Sequence, residues 1–394
     1  MTNIIDKSMC TGCTACKNVC PTQCIVMNED NEGFLYPYVE QSSCINCGKC
    51  NKACPILKEK NFGEFKTQAF CVQNHQDMYR SQSTAGGVFA AVALHVVENN
   101  GVVYGAGFDD DMNVVHKCVD SLKSWQHNLD LCGSKYVQSD LKNTFSEVKA
   151  DLLTGKMVLF AGAPCQIEGL HSYLSRNYEN LITIDFVCYG VPSPKLYRLW
   201  IKYCEKYYKS KIVRINFRDK SFGYSISNCR LYFKNERGID NTSVVKSYLR
   251  MFFAGLISRP SCYKCYFKSI ERNSDFTLGD CRYVEKLNPS MDDDLGTTAV
   301  LVHSVKGFAL LDELKEKLKV YEISVNDVIN KKMVQSDCEN TNRAKLFQNL
   351  ENLSYIDVVN IYSPIRMKER ISNIIKPIIR KFNLSTSLLK RLKT

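Results

Sequence analysis

Between residues 69 and 330 the chain alternates short, dense apolar runs with longer stretches of helical period. AFCVQN, GVVYGAGFD, NVVHKCVD, MVLFAGAP, LITIDFVCYG and AVLVHS are bounded by Gly, Pro, Asn or Asp and predict strands. GGVFAAVALHVVENNG, SEVKADLLTG, CQIEGLHSYLSRN, SYLRMFFAGLI and VKGFALLDELKEKL predict helices, the first ending at Asn-Gly and the second at Gly155. PSPKLYRLWIKYCEKYYKS predicts a long helix with Pro in its first turn. KIVRINFRDK and CRLYFKN read as a pair of antiparallel strands. Helices interleaved with strands in this way predict an α/β or α+β body on a mixed sheet.

The first sixty residues do not follow that rhythm; they follow cysteine. CTGCTACKNVCP and CINCGKCNKACP both read C-x2-C-x2-C-x3-C-P. Three thiolates two residues apart wrap one face of a cubane cluster. The fourth, followed by Pro, ligates the neighbouring cluster. The spacing therefore predicts one [4Fe-4S] cluster on Cys10, Cys13, Cys16 and Cys54. A second falls on Cys44, Cys47, Cys50 and Cys20. GFLYPYVEQ between them suits a short hairpin-like connection. Zinc sites use two separated C-x2-C pairs, or Cys with His; here four-Cys runs occur twice, with no His before His75. Cys24 lies outside the pattern and reads as a small buried apolar residue. The expected organisation is a bacterial-type two-cluster ferredoxin domain at 1–62, a larger mixed-sheet domain at 68–345, and a helical basic tail at 346–394.

Composition refines this picture. The chain has 394 residues, 45% hydrophobic and 24% charged, enough to bury a core without disulfide staples. No apolar run approaches the roughly 18 residues of a membrane span, and MTNIIDKSMC has no apolar signal region. The expected location is the cytoplasm, where 20 cysteines point to metal or redox chemistry. Residues 364–394 carry nine Lys or Arg against Glu369 alone, which supplies +8 of the net +11. The rest is near neutral, which argues against nucleic acid as a partner. IRMKERISNIIKPIIRKF can form a basic amphipathic helix, broken or kinked at Pro377. Peripheral contact at the inner membrane surface and a solvated tail are both open.

Two polar stretches in the body could hold a ligand. QSTAGGVF places Ser83, Thr84, Gly86 and Gly87 just before a helix, where free backbone N–H groups and the helix dipole suit an anion; a plain N-cap is the alternative. Gly133, Ser134, Lys135 and Tyr136 in LCGSKYVQSD could hold a phosphate and stack a ring, or form an ordinary loop. Cys165 and Cys188 stand at strand ends, where ligands bind in open α/β sheets, and Cys262 and Cys265 form a C-x2-C pair. They are either a third four-thiolate site or scattered core residues. The six histidines stand singly, and no general acid or base is identifiable.

Taken together, STAGGVF, VVYGAGFD, GSKYVQSD, AGAPCQIEGL, DFVCYGVPSP, FRDK, RPSCYKC, SDFTLGD and DLGTTAVLVHS resemble, in order over roughly 70–340, the coenzyme F420-reducing hydrogenase/dehydrogenase beta-subunit family. That resemblance implies an FAD-dependent iron-sulfur oxidoreductase. Cys165, Cys188, Cys262 and Cys265 become ligands of a third [4Fe-4S] cluster, and the two polar loops become FAD contacts. Clusters carry single electrons, a hydride carries two, and a flavin converts between them. The implied partners are an external one-electron carrier, such as a ferredoxin or redox subunit, and a small-molecule hydride acceptor or donor. The alternative is a non-catalytic relay subunit of a larger complex. Some relatives accompany surface-polysaccharide assembly, and many occur in organisms that lack the deazaflavin coenzyme. The sequence departs from the family at Cys281 and Arg282, where aromatics are usual, and at Cys132, where a basic residue is common.

Overall fold

The computed structural model describes residues 4–226 and 228–365. Its first region is a hairpin with a cysteine loop on either side. Strands β1 (Ile25–Glu29) and β2 (Leu35–Val39) pair antiparallel, Ile25 opposite Val39 and Glu29 opposite Leu35. Asp30 closes the turn between them, its Oδ1 accepting the N–H groups of Glu32 and Phe34 at 3.0 and 2.9 Å. The cysteine loops end in single turns, α1 (Ala15–Val19) and α2 (Lys49–Lys52). Both loops take the same path. The second and fourth residues after the first cysteine have positive φ in each: Gly12 (69°) and Thr14 (64°), Asn46 (52°) and Gly48 (69°). Left-handed residues at these two places curl the chain around a point, so the repeat seen in sequence is a repeat of backbone.

The second region is built on an eight-stranded mixed sheet. Its strands are β3 (Gln68–Asn74), β4 (Val102–Phe108), β5 (Val114–Val119), β6 (Val158–Ala161), β7 (Leu181–Phe186), β11 (Phe276–Asp280), β12 (Thr298–Val302) and β13 (Leu318–Ile323). They lie in the order β13-β3-β12-β11-β7-β6-β4-β5. β4, β6, β7 and β11 run parallel. They are covered on both faces, which explains why β4 and β6 read as continuously apolar rather than alternating. On one face α3 (Val88–Glu98) packs over Val72, Val103, Leu159 and Val300. On the other, α4 (Thr144–Leu153) and α5 (Pro164–Leu174) bury Phe145, Val148, Ile167 and Leu170 against Phe160.

A smaller sheet lies beside the large one. It comprises β8 (Ile212–Asn216), β9 (Arg230–Phe233) and β10 (Gly238–Asp240), with β9 in the middle. It shares a core around Trp200, Tyr248 and Met251 with α6 (Pro194–Tyr208) and α7 (Ser243–Phe253). α8 (Val305–Glu313) covers the large sheet near β12. α9 (Arg343–Asn349) and α10 (Tyr355–Tyr362) straddle the expected boundary at 345 and pack into the same small-sheet core through Leu346, Tyr355 and Val358. The basic helix expected beyond residue 364 lies outside the described residues from 366 on. Among the described residues no helix is long and apolar enough to cross a membrane. The fold class is thus the mixed α/β, α+β architecture with a ferredoxin-like first region.

The two regions are joined by buried polar contacts. Arg343 forms a two-pronged ion pair with Glu32, and Ser193 Oγ donates to Glu32 O. Arg259, with no exposed surface, donates to Cys10 O at 2.7 Å, Leu35 O at 2.9 Å and Gln138 Oε1 at 2.8 Å. Its guanidinium stacks 4.1 Å from the Tyr36 ring centroid.

Candidate functional site

The thiols of Cys10, Cys13, Cys16 and Cys54 line one small apolar cavity with Ile5, Met27 and Ile56. Cys10, Cys13 and Cys54 are buried. Burial pushes Cys13 up to about 12, and the closeness of Cys10 and Cys54 adds to the shift. Cys44, Cys47, Cys50 and Cys20 gather at the surface: Cys47 is exposed and the other three are half-buried. Burial raises Cys50, with further upward contributions from Cys47 and Cys20. Cys24 is buried as expected, and it also touches the second set, its Sγ 3.4 Å from that of Cys20.

Cys165, Cys188, Cys262 and Cys265 come together from three places. Cys165 opens α5 behind Pro164; Cys188 follows β7; Cys262 and Cys265 sit on the turn after Arg259. Burial drives Cys165 well above the ordinary thiol range, with Cys188, Cys265, Cys262 and then Cys13 adding to the shift. Cys262 is pushed up to about 12 by burial, then by Cys188 and Cys265. Two backbone N–H groups point at these sulfurs, Gly190 N to Cys188 Sγ at 3.3 Å and Val191 N to Cys262 Sγ at 3.4 Å. Four crowded thiols hard to ionise alone, with amide donors aimed at them, fit an iron-sulfur cluster whose iron charge reverses the local preference for the neutral thiol. Among the described residues no three His, Cys, Asp or Glu side chains close around a single ion. A lone zinc draws its sulfurs to about 2.3 Å, whereas a cubane keeps its four thiolates further apart.

The first and third sets adjoin. Cys165 and Gly169 are one turn apart on the same face of α5. A Cβ on Gly169 would meet Cys13 Cβ and Sγ at 2.9 Å. Only a glycine lets Cys13 lie against this helix.

The third set backs onto a cavity of about 290 Å³ at the carboxyl ends of β4, β6, β7 and β11, the usual ligand position in such sheets and close to the lower end of cofactor-pocket volumes. Gly190 and Val191, the donors to the cysteine sulfurs, are in its wall. So are Ser83, Thr84, Gly87, Gly133, Ser134, Lys135 and Tyr136. The two loops carrying them touch through Thr84 Oγ1 and Ser134 Oγ at 2.9 Å. Gly87 has φ of 85° and starts α3 with no side-chain cap, leaving the first N–H groups of the helix unclaimed by one. Gly86 is not in the wall. It lies behind it, where a Cβ would strike Val72 O at 2.2 Å, and its N–H donates to Thr298 Oγ1 at 2.8 Å. Lys135 donates to the carbonyls of Asp130 and Gly133, and burial lowers it to about 8. The residues present fit a planar ring with a phosphate-bearing arm.

Residues 155–327 match the family model for the C terminus of the coenzyme F420 hydrogenase/dehydrogenase beta subunit, and residues 9–56 match the 4Fe-4S dicluster domain. Residues 155–327 therefore carry the likeness to that beta-subunit family. Comparison with curated proteins gives no match. Among solved structures, a chain of the F420-reducing [NiFe] hydrogenase complex from Methanosarcina barkeri is similar. It is 12% identical, the match covers 76% of this chain and 91% of that one, and the TM-score is 0.45.

The body of the chain also brings residues to the site that sequence reasoning did not single out. Arg259 is one, bridging Cys10 and the turn that carries Cys262. Another is Asp280, in the cavity wall and 3.3 Å from Arg218 Nη2. Arg282 lines the cavity and donates to Tyr189 OH at 2.6 Å. Its neighbour Cys281 does not line it; its Sγ lies 2.8 Å from that of Cys71 in a buried apolar cluster. Cys132 is in the wall, pushed up to about 12 by burial. Asp185 was visible as an acid in the apolar run LITIDF, a pattern that marks a buried polar residue in need of partners.

Proposed function

We propose that the protein is an iron-sulfur flavoprotein oxidoreductase that takes electrons singly at its surface and exchanges them with an organic substrate as a hydride in the large cavity. The observation that carries this reading is the order of the cysteine sets: Cys50, in the set with exposed Cys47, neighbours buried Cys54, Cys13 of that inner set neighbours Cys165, and the third set adjoins the cavity wall. Bound clusters would relay single electrons, and a bound flavin would convert between one- and two-electron chemistry.

The chain's own residues divide the remaining work. The eight N-terminal cysteines would hold two clusters, and Cys165, Cys188, Cys262 and Cys265 a third. Ser83, Thr84, Gly87, Gly133 and Ser134 would bind and orient the cofactor by backbone and hydroxyl donors, with Gly86 allowing the close approach behind them. Lys135 would place a cationic or neutral amine beside the ring, and Tyr136, backed by Phe217, Phe252 and Phe253 at 5.5–5.8 Å, would wall it. Gly190 and Val191 would hold the third cluster's sulfurs at the cavity's edge. Lys49 and Lys52 beside the exposed set favour an acidic carrier protein as electron donor. In this reading residues 1–62 and 68–345 act as ferredoxin and flavin domains.

Protein purified without oxygen is expected to contain about twelve irons and one flavin per chain, with the flavin band bleaching when a one-electron donor is added. Iron near eight with no flavin would leave a relay subunit, not an enzyme.

A further inference from the structure

A hydride is two electrons and one proton, and iron-sulfur clusters deliver only the electrons. If the cavity performs hydride chemistry, a proton must reach it by another route. A continuous hydrogen-bonded line ends there. Thr67, half-buried in the connection between the two regions, lies with its Oγ1 3.0 Å from His303 Nδ1. His303 Nε2 lies 3.0 Å from Thr277 Oγ1, which donates to Asp185 Oδ1 at 2.5 Å. Asp185 is 1% exposed and lies in the wall of the large cavity.

The direction of each bond follows from counting hydrogens. A hydroxyl has one to give. That of Thr277 goes to Asp185, so His303 Nε2 must donate to Thr277, and Nδ1 must accept from Thr67. Burial, and then Arg272, hold His303 down at about 3, so the ring is neutral and carries the single proton this pattern needs. All three donations point from the surface toward Asp185. The charged groups facing the line are few. Arg272 Nη1 is 3.4 Å from Asp185 Oδ2; Glu168 on α5 feels the Asp185 charge, which helps to raise it after burial; His303 N donates to Asp275 O, and the Asp275 carboxylate pairs with Lys306 at 3.6 Å.

We propose that Thr67, His303, Thr277 and Asp185 form a proton relay from solvent to the large cavity. The inference rests on the flavin reading given above. A proton accepted at Thr67 would displace one along each hydrogen bond in turn, and Asp185 would release one into the cavity. Joined to two electrons from the clusters, supplied by the external one-electron carrier, that proton makes up the hydride. Rotation of the two hydroxyls and of the imidazole tautomer would then reset the line.

A second cavity, of about 180 Å³, offers a competing entry. Asp185 is also in its wall, with Glu168, His171 and Ser172. Among the described residues Ser172 Oγ and His171 Nε2 find no hydrogen-bond partner, the mark of a place that takes water.

The test uses the full chain with its cofactors, mixed rapidly without oxygen with reduced methyl viologen, a one-electron donor that carries no proton. A pH indicator in weak buffer follows proton uptake while absorbance follows cluster and flavin bleaching. In Thr277→Val and His303→Gln, cluster bleaching is expected at the normal rate. Proton uptake and flavin bleaching should slow about tenfold or more, the low end of what a positioned proton donor contributes. Iron and flavin content should be unchanged. Asp185→Asn should do the same and remove a carboxylic C=O infrared band that shifts in D2O. Normal uptake in all three variants would overturn the relay. Slow uptake in Asp185→Asn alone would overturn the His303 line in favour of the second cavity. Should the wild-type chain hold no flavin, the reading of the cavity itself fails and the relay has no destination. That failure appears in the cofactor count, whereas failure of the relay appears only in proton uptake.

Discussion

The two N-terminal cysteine sets have the same spacing, the same positive-φ positions and the same closing Cys-Pro, yet they occupy opposite environments. The set at Cys10 is wedged into the body, with Arg259 bonded to Cys10 O and α5 laid against Cys13. The set at Cys44 faces outward, with Ile45 64% exposed beside it. Spacing fixes what a loop can hold; surroundings decide what the bound group does. Burial, charge and hydrogen bonds set cluster potentials, so in the proposed function identical motifs would serve as an outer port and an inner contact.

The sharpest break in that comparison is Cys165→Ala. It should cost about four irons and stop the one-electron donor from bleaching the flavin, while both N-terminal clusters still reduce. Metal analysis with stopped-flow absorbance checks this. Arg259→Met comes next. It leaves the carbonyls of Cys10 and Leu35 and the side chain of Gln138 without a buried donor, and should lower stability by roughly 3–5 kcal/mol, read by denaturant unfolding. The inner cluster should become as accessible as the outer one.

Acid should blur the comparison in a similar way. Burial lowers His116 to about 4 and His303 to about 3, from 6.5. Between those values the unfolded chain binds more protons than the folded one, so stability is full above about pH 6.5 and falls as pH drops, by up to roughly 1.4 kcal/mol per unit for each histidine. Thermal unfolding across pH 7 to 5 should show the fall, with iron lost from the inner set as the body loosens. Gly169→Ala drives a methyl group into Cys13 and should cost roughly 1–3 kcal/mol, with a shifted potential for the inner cluster alone in a redox titration. The smallest change concerns the outer set. Lys49→Glu with Lys52→Glu should slow association with an acidic carrier about tenfold at low salt and little at high salt, leaving reduction by a small neutral donor untouched.

Much of this was legible in the residues because cysteine spacing and apolar periodicity are local. The two N-terminal cysteine repeats, the hairpin between them and most strands and helices of the body could be read directly. Two strands of the large sheet escaped. FTLGD (β11) is short and ends in Gly-Asp, which reads as a turn, although it sits mid-sheet between β7 and β12. LKVYEI (β13) lies at the sheet's edge and carries charge. The grouping of Cys165 and Cys188 with Cys262 and Cys265 depends on how β7, α5 and a distant turn pack. Residue spacing does not encode that, so only family resemblance pointed to it. Arg259 and the Thr67–Asp185 line have no local signature at all. Their partners lie 92 to 249 residues away, apart from the bond between Thr277 and His303. Gly86, grouped by sequence with the cavity loop, belongs to the layer behind it because two backbones meet there.

The most direct measurement is electron paramagnetic resonance of the fully reduced protein, with and without a soluble paramagnetic relaxing agent, in wild type and Cys165→Ala. One cluster, the outer one, should relax with the agent. The inner and third clusters should be shielded and magnetically coupled to each other, with that coupling lost in the variant. Equal relaxation of every cluster, or a wild-type spectrum identical to that of Cys165→Ala, would contradict this.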